Sequence, residues 1–291
     1  MVNRRAEEAA VKAVNFLKNR LISWYSDLGV HHSPHVGVVL GTGWGDSLEL
    51  ERAAKADFKE IPGFEVVRSL DEIEGHSRMV VNGRLRLSPK HLLDRAVCTL
   101  RGRLHLNEDY TNKELAAAVR LQTEMLIKLG VKALIVTSAV GSLTPEVEVG
   151  DIVVVDGFCT LFAPDMPLYS GEFCSPEDTL LQHRERACEV VERVTGRRRM
   201  GGHVMVRGPF FEGRKYDKAF LRSTGASVVG MSMLPEACIA ALYGIPVIGL
   251  GFVTNTADET HSHEENQRRA RERSADLGKV LTALVEELTK E

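Results

Sequence analysis

Val36-Gly37-Val38-Val39-Leu40 runs without a break into Gly41-Thr42-Gly43-Trp44-Gly45. An apolar run with no polar alternation describes a short strand covered on both faces. Glycines directly after such a strand let the backbone approach a ligand. They offer amide N–H groups, and here the Thr42 hydroxyl, to an anion. A dinucleotide-binding turn also begins this way, but no βαβ unit with a ribose-binding acid obviously follows. The stretch therefore reads as a buried strand that ends in a small polar cluster.

The same pattern recurs along the chain. Ala133-Leu134-Ile135-Val136-Thr137 is a second buried run, turning at Ser138-Ala139-Val140-Gly141-Ser142. Asp151 to Val155 is another; Val204-Met205-Val206 leads to Gly208-Pro209-Phe210-Phe211-Glu212, and Val228-Val229-Gly230 to Met231-Ser232. Ile245 to Val253 ends in Thr254-Asn255. Helical periodicity fills the gaps. An amphipathic first helix runs from about Ala6 to Leu28, within residues 1–30, and a second runs to Leu129 from a capping box at Thr111-Asn112-Lys113-Glu114. A third opens at Ser175-Pro176 and stops at Gly196; a fourth runs from Pro235 to Tyr243; a charged helix from about His263 closes the chain. Strands alternating with helices predict an α/β protein with a central sheet. Ligands in such sheets sit outside the carboxyl ends of strands, so Thr42, Thr137 to Gly141, Glu212, Ser232 and Asn255 are expected to converge on one pocket.

Composition sets bounds. The 291 residues are 44% hydrophobic and 26% charged, ample for a core, and without repeats or linkers they read as a single domain over 1–291. A net charge of -3 argues against a general nucleic-acid binder, and Arg197-Arg198-Arg199 reads as a solvated turn. The five cysteines are scattered without a CxxC pair, which predicts reduced thiols and neither a disulfide frame nor a zinc site. No apolar run is long enough to span a bilayer, and the mixed-charge start is unlike a signal peptide. A cytoplasmic location is expected.

One polar stretch stands apart, Val97 to Tyr110. Read as a strand, it places Cys98, Leu100, Leu104 and Leu106 on a core face and Thr99, Arg101, Arg103 and His105 on the other. Two guanidinium groups and an imidazole in a row suit an oxyanion such as phosphate; a half-exposed antiparallel strand is the plainer reading.

In this order the clusters resemble the trimeric purine nucleoside phosphorylase family, with its methylthioadenosine phosphorylase branch. The resemblance runs from about Val36 to the final helix and is carried by Arg103-Leu104-His105, Thr137 to Leu143, Glu148-Val149-Gly150-Asp151-Ile152 and Gly230 to Glu236. It implies a central mixed sheet flanked by helices. It also implies phosphate held by Thr42, Arg103, His105, the backbone near Ala139, and Ser232, with His76 close by. The ribose would rest on Met231, with His263 near its 5′ position. The purine would stack by Phe211 and be hydrogen-bonded by Glu212 and Asn255. His105, Glu212 and Asn255 are the expected catalytic residues. The family uses no metal, no cofactor beyond phosphate as co-substrate, and no covalent enzyme intermediate. A homotrimer is implied, with an aromatic crossing between subunits, for which Phe173 is the candidate here.

The residue types fit that chemistry. Phosphorolysis passes through an oxocarbenium-like sugar, so the protein has to position phosphate and stabilise charge. An amide N–H on the departing base is worth on the order of 3 kcal/mol in the transition state. Plainer roles stand beside these: Ser232 could cap the helix at Pro235, Met231 and Phe211 could be core, and Glu236 could serve the helix dipole as readily as a ligand. Either His261 or His263 could face the sugar. The chain also departs from the family. Phe210 and Gly213 stand where Ser and Thr are usual, Asn107 where Tyr is frequent, and Ser138 where Asn is common; the span from Asn255 to His263 is short. The Asn255 amide with the Glu212 carboxylate matches a 6-oxopurine edge, favouring inosine and guanosine. Asp258 facing the base would reverse the preference toward adenosine or methylthioadenosine, and a non-catalytic nucleoside-binding protein is the remaining alternative.

Overall fold

The computed structural model describes residues 2–25, 33–45, 47–71, 77–85, 96–208, 213, 215–256, 265, 268–269 and 272–290. Nine strands among them form one mixed sheet: β1 Val36–Leu40, β2 Leu50–Asp57, β3 Met79–Leu85, β4 Ala96–Arg101, β5 Ala133–Ser142, β6 Ile152–Cys159, β7 Met200–Met205, β8 Val228–Gly230 and β9 Val247–Thr256. The order is β2-β3-β4-β1-β5-β8-β7-β6-β9, and β9 also pairs with β5. Strands β5, β8, β7, β6 and β9 therefore close into a ring, and β1 to β4 extend from it as an open wing. Closure leaves those five strands without a free edge. The mixed sheet agrees with the expectation, although the ring does not follow from any single stretch.

Helices cover both faces: α1 Arg4–Tyr25, α2 Lys113–Leu129, α3 Pro176–Leu180, α4 Arg184–Thr195, α5 Asp217–Ser223, α6 Leu234–Leu242 and α7 Ser274–Leu288. β1 explains its own composition. Val39 joins the core beneath α1 and α2 with Leu17, Leu115 and Met125, while Val38 and Leu40 join the opposite core with Val191 of α4 and Val280 of α7. Each residue of this strand meets a helical layer, so no position tolerates a polar side chain.

Several local expectations are corrected. The strand at 97 ends at Arg101, because Gly102 takes φ +77° and donates its N–H to the Leu40 carbonyl. Arg103 and His105 thus lie beyond the strand rather than on its polar face. β4 is also not half-exposed: it lies between β3 and β1, and Thr99 is fully buried with its hydroxyl on the Val81 carbonyl. The cap of α2 is Asn112, whose Oδ1 accepts from Glu114 N at 3.0 Å and Leu115 N at 3.1 Å, while Thr111 binds Asp109 instead. Ser175 precedes α3 but makes no side-chain cap, and the expected single helix divides into α3 and α4. β5 continues through the supposed turn to Ser142. β2 was not foreseen. The arginine run at 197 is solvent-exposed as expected, and it also makes ion pairs: Arg197 and Arg199 reach the buried Asp151 at 2.7 and 3.0 Å, and Arg198 reaches Glu185.

A second buried cluster fixes the long 160–175 segment. The Arg120 guanidinium of α2 spans Glu124 and Glu172, with its Nη2 2.9 Å from Glu172 Oε1. Glu172 also accepts from the backbone of Asn3 and Tyr169, and the Tyr169 ring stacks on Arg120. A carboxylate with this many donors replaces its lost hydration shell.

Candidate active site

The turn after β1 is fastened to the middle of β5. Gly41 N donates to Thr137 Oγ1 at 3.0 Å, and the same hydroxyl donates to the Val39 carbonyl. The indole of Trp44, fully buried, reaches the Ser138 carbonyl at 3.3 Å. Thr42 is therefore held at the carboxyl end of β1, beside Thr137 and Ser138 of β5.

Arg103 lies beneath this turn and is 1% exposed. Its Nη1 donates to Glu236 Oε1 at 2.9 Å and its Nη2 to the Thr137 carbonyl. Leu104 beside it is locked by a reciprocal pair with the Gln122 side chain, at 2.9 and 3.1 Å. His105 follows, its N–H donating to Glu108 Oε1 at 2.8 Å, while Glu108 Oε2 accepts from the buried Arg78 at 2.7 Å. Burial pushes the Glu108 carboxyl upward from its ordinary range, against the pull of that N–H and of Arg78.

β8 runs antiparallel to the end of β5, Val229 opposite Gly141, so the residues after Gly230 return toward Ser138. There the Ser232 and Ser138 hydroxyls are 2.8 Å apart. The cap position of α6 is Met233, at φ +73°, so Ser232 is not the cap. Ser138 Oγ also reaches the Ala139 carbonyl at 2.9 Å. Of the residues expected around phosphate, the Gly41-Thr42 turn and Arg103 meet at Thr137, Ser232 meets Ser138 beside Ala139, and His105 follows Arg103 by two residues. Two roles escaped the sequence: Glu236 is the counter-ion of Arg103, and Ser138 is the partner of Ser232. The spacing of Glu236 from Pro235 signalled only a helix start.

The nucleoside residues divide. Asn255 lies at the end of β9, opposite Gly141 of β5, and its Nδ2 would be 2.8 Å from a Cβ at Gly141. Thr254 Oγ1 donates to its Oδ1 at 3.1 Å. Met231 is partly buried, with the Asn107 amide 3.9 Å from its sulfur and Gly208 packed so closely that a Cβ there would sit 2.4 Å from Sδ. His76, Phe211, Glu212, Asp258, His261 and His263 lie outside the described residues.

His203 of β7 was not anticipated. It is fully buried, packed beside Gly230, and neither ring nitrogen has a hydrogen-bond partner among the described residues. Burial, then the charge of Arg103, pushes its imidazole down to about 3, so it is neutral. Among the described residues no His, Cys, Asp and Glu group could hold a metal ion, and no helix is long and apolar enough to cross a membrane.

Residues 35–286 match the sequence profile of the phosphorylase superfamily. The purine nucleoside phosphorylase of Bos taurus is 32% identical over 235 residues, covering 76% of each chain. Purine nucleoside phosphorylase 1 of Geobacillus stearothermophilus is 28% identical over 99% of this chain and 100% of its own. The crystal structure of Schistosoma mansoni purine nucleoside phosphorylase in complex with adenosine superposes with a TM-score of 0.77 at 24% identity, over 98% of each chain. The chain belongs to the phosphorylase superfamily and, within it, to the purine nucleoside phosphorylase family.

Proposed function

We propose that the chain is a purine nucleoside phosphorylase, cleaving a purine ribonucleoside with inorganic phosphate to the free base and ribose 1-phosphate. The observation that carries the reading is the meeting of the Gly41-Thr42 turn, Arg103 and Ser232 along Thr137 to Ala139 of β5. Phosphate is the nucleophile. Arg103, preset by Glu236, and the two hydroxyls position it, and His105 stands beside it. Met231 supports the sugar, and Asn255 with Glu212 meets the charge that develops on the departing purine. Phe211 stacks on the base, His263 serves the 5′ end, and His76 joins the phosphate. No metal or organic cofactor takes part.

The amide at Asn255 supports a 6-oxopurine, and so inosine or guanosine over adenosine and methylthioadenosine. We further propose a cytoplasmic homotrimer, in which Phe173, 91% exposed on the clamped 160–175 segment, reaches a neighbouring subunit. One experiment tests the reaction: initial rates on inosine, guanosine, adenosine and methylthioadenosine, with and without phosphate. Base release that persists undiminished in phosphate-free buffer makes the protein a hydrolase, and tight binding with no turnover makes it a binding protein. Faster cleavage of either adenine nucleoside reverses the base assignment. Sedimentation giving a ~32 kDa species at working concentration, the mass of one chain, defeats the trimer.

A further inference from the structure

Cys174 closes the 160–175 segment and Cys238 lies inside α6, 4% exposed. Cys174 packs on the cluster of Met205, Leu234 and Cys238, and the helix that follows it, α3, packs on α6. Each backbone is held independently. Two residues before Cys174, Glu172 is gripped by Arg120; two residues before Cys238, Glu236 is gripped by Arg103. Each segment is thus held by its own buried ion pair, and the two free thiols share one apolar cluster.

We propose that Cys174 and Cys238 are a reactive dithiol that closes to an intrachain disulfide by exchange with a small-molecule disulfide such as oxidised glutathione. The environments give them different roles. The neighbouring Cys238 thiol draws the Cys174 thiol down to about 7, against the effect of burial, so a substantial share is thiolate at neutral pH. Cys238 is pushed up by the same contact and by burial, and stays protonated. The Cys174 thiolate attacks the glutathione disulfide, forming a mixed disulfide and releasing one glutathione thiolate. Cys238 then attacks the Cys174 sulfur. Its proton passes to the second departing glutathione, and the new S–S bond joins the segment to α6. Two protein thiols are oxidised and one glutathione disulfide is reduced to two thiols. Burial pushes Cys98 up to about 12 and Cys188 upward, which leaves them unreactive.

The test is independent of the proposed activity. The full-length protein is incubated with oxidised glutathione, denatured, and its free thiols titrated; peptide mass mapping follows without reductant. The count is expected to fall from five to three, with one peptide pair joined through Cys174 and Cys238, and to return to five with dithiothreitol. Cys238→Ser is expected to stop at a glutathione adduct on Cys174, so the intermediate accumulates; Cys174→Ser is expected to keep all four remaining thiols. Five titratable thiols after incubation, a link between any other pair, or a lasting glutathione adduct on Cys174 in the unsubstituted protein overturns the proposal.

Discussion

Removing Glu236 isolates the contribution of one buried ion pair. The side chains of Arg103 and Glu236 are 1% and 2% exposed, so water cannot compensate either charge. Glu236→Ala removes the buried counter-ion of the guanidinium, which costs about 3–5 kcal/mol. For a chain of this size that corresponds to a fall in Tm on the order of 10 °C. The same change frees the fork of Arg103, so the KM for phosphate rises while that for nucleoside moves little. Glu236→Gln keeps an acceptor and gives a smaller loss in both. The decisive variant is double. Arg103→Met with Glu236→Leu replaces the pair by apolar volume and is expected to return stability to within about 1–2 kcal/mol of the parent. It should not return phosphorolysis, since the guanidinium is gone. Urea unfolding and phosphate titrations of the three variants measure both quantities. A Glu236→Ala protein that loses less than about 1 kcal/mol and keeps its phosphate KM would refute the reasoning.

Gly41→Ala sets a Cβ 2.5 Å from the Thr137 carbonyl oxygen and 3.0 Å from Arg103 Nη2. The displaced turn should lower kcat/KM for phosphate roughly a hundredfold, as small misplacements in active sites do, measured by initial rates at saturating nucleoside. Asn255→Ala removes the donor proposed for the leaving base and should lower kcat about 100–1000-fold with little change in unfolding free energy. Stability should fall with acid. His203 is held near 3 when folded and lies near 6.5 when unfolded, so the unfolded chain binds the extra proton between those values. Its contribution is complete above pH ~6.5 and declines toward pH 3 by up to about 1.4 kcal/mol per unit. Urea midpoints across that range, compared with those of His203→Gln, measure it, and an imidazole that titrates near 6.5 by NMR contradicts it.

What was readable in the sequence is what neighbours in sequence decide. The run from Val36 to Leu40 has both faces buried and a glycine turn at its end, so the strand and the turn after it were legible together. β2 was not, because Leu50–Asp57 is an antiparallel partner of β3 with alanines and charges in place of the usual apolar alternation. The stretch from Val97 invited one long alternating strand, yet a single glycine ends it at Gly102. Arg103 then turns inward because its partner, Glu236, waits 133 residues later. The arginine run at 197 was legible as an exposed turn, but its ion pair with Asp151, 46 residues upstream, was not. Residue types suggested candidate residues, but the ion pairs around them depend on tertiary neighbours.

The resting state of Arg103 bears on how the proposed site would accept phosphate. A buried guanidinium with open N–H groups would be costly, and here the Thr137 carbonyl occupies Nη2 while Glu236 occupies Nη1. The two partners differ in strength. Both bonds come from a cation, but the carboxylate carries a full charge and the carbonyl only a partial one, so Glu236 holds the guanidinium more strongly. An arriving phosphate therefore competes favourably with Thr137 for Nη2 and poorly with Glu236 for Nη1. The missing side chain at Gly41 leaves room on the Nη2 side, where a Cβ would stand 3.0 Å away. Exchange at one nitrogen, with the other still anchored, brings the anion under the Thr42 turn without releasing the arginine. The carbonyl satisfies the arginine until phosphate arrives, and the carboxylate fixes which way the arginine faces when it does.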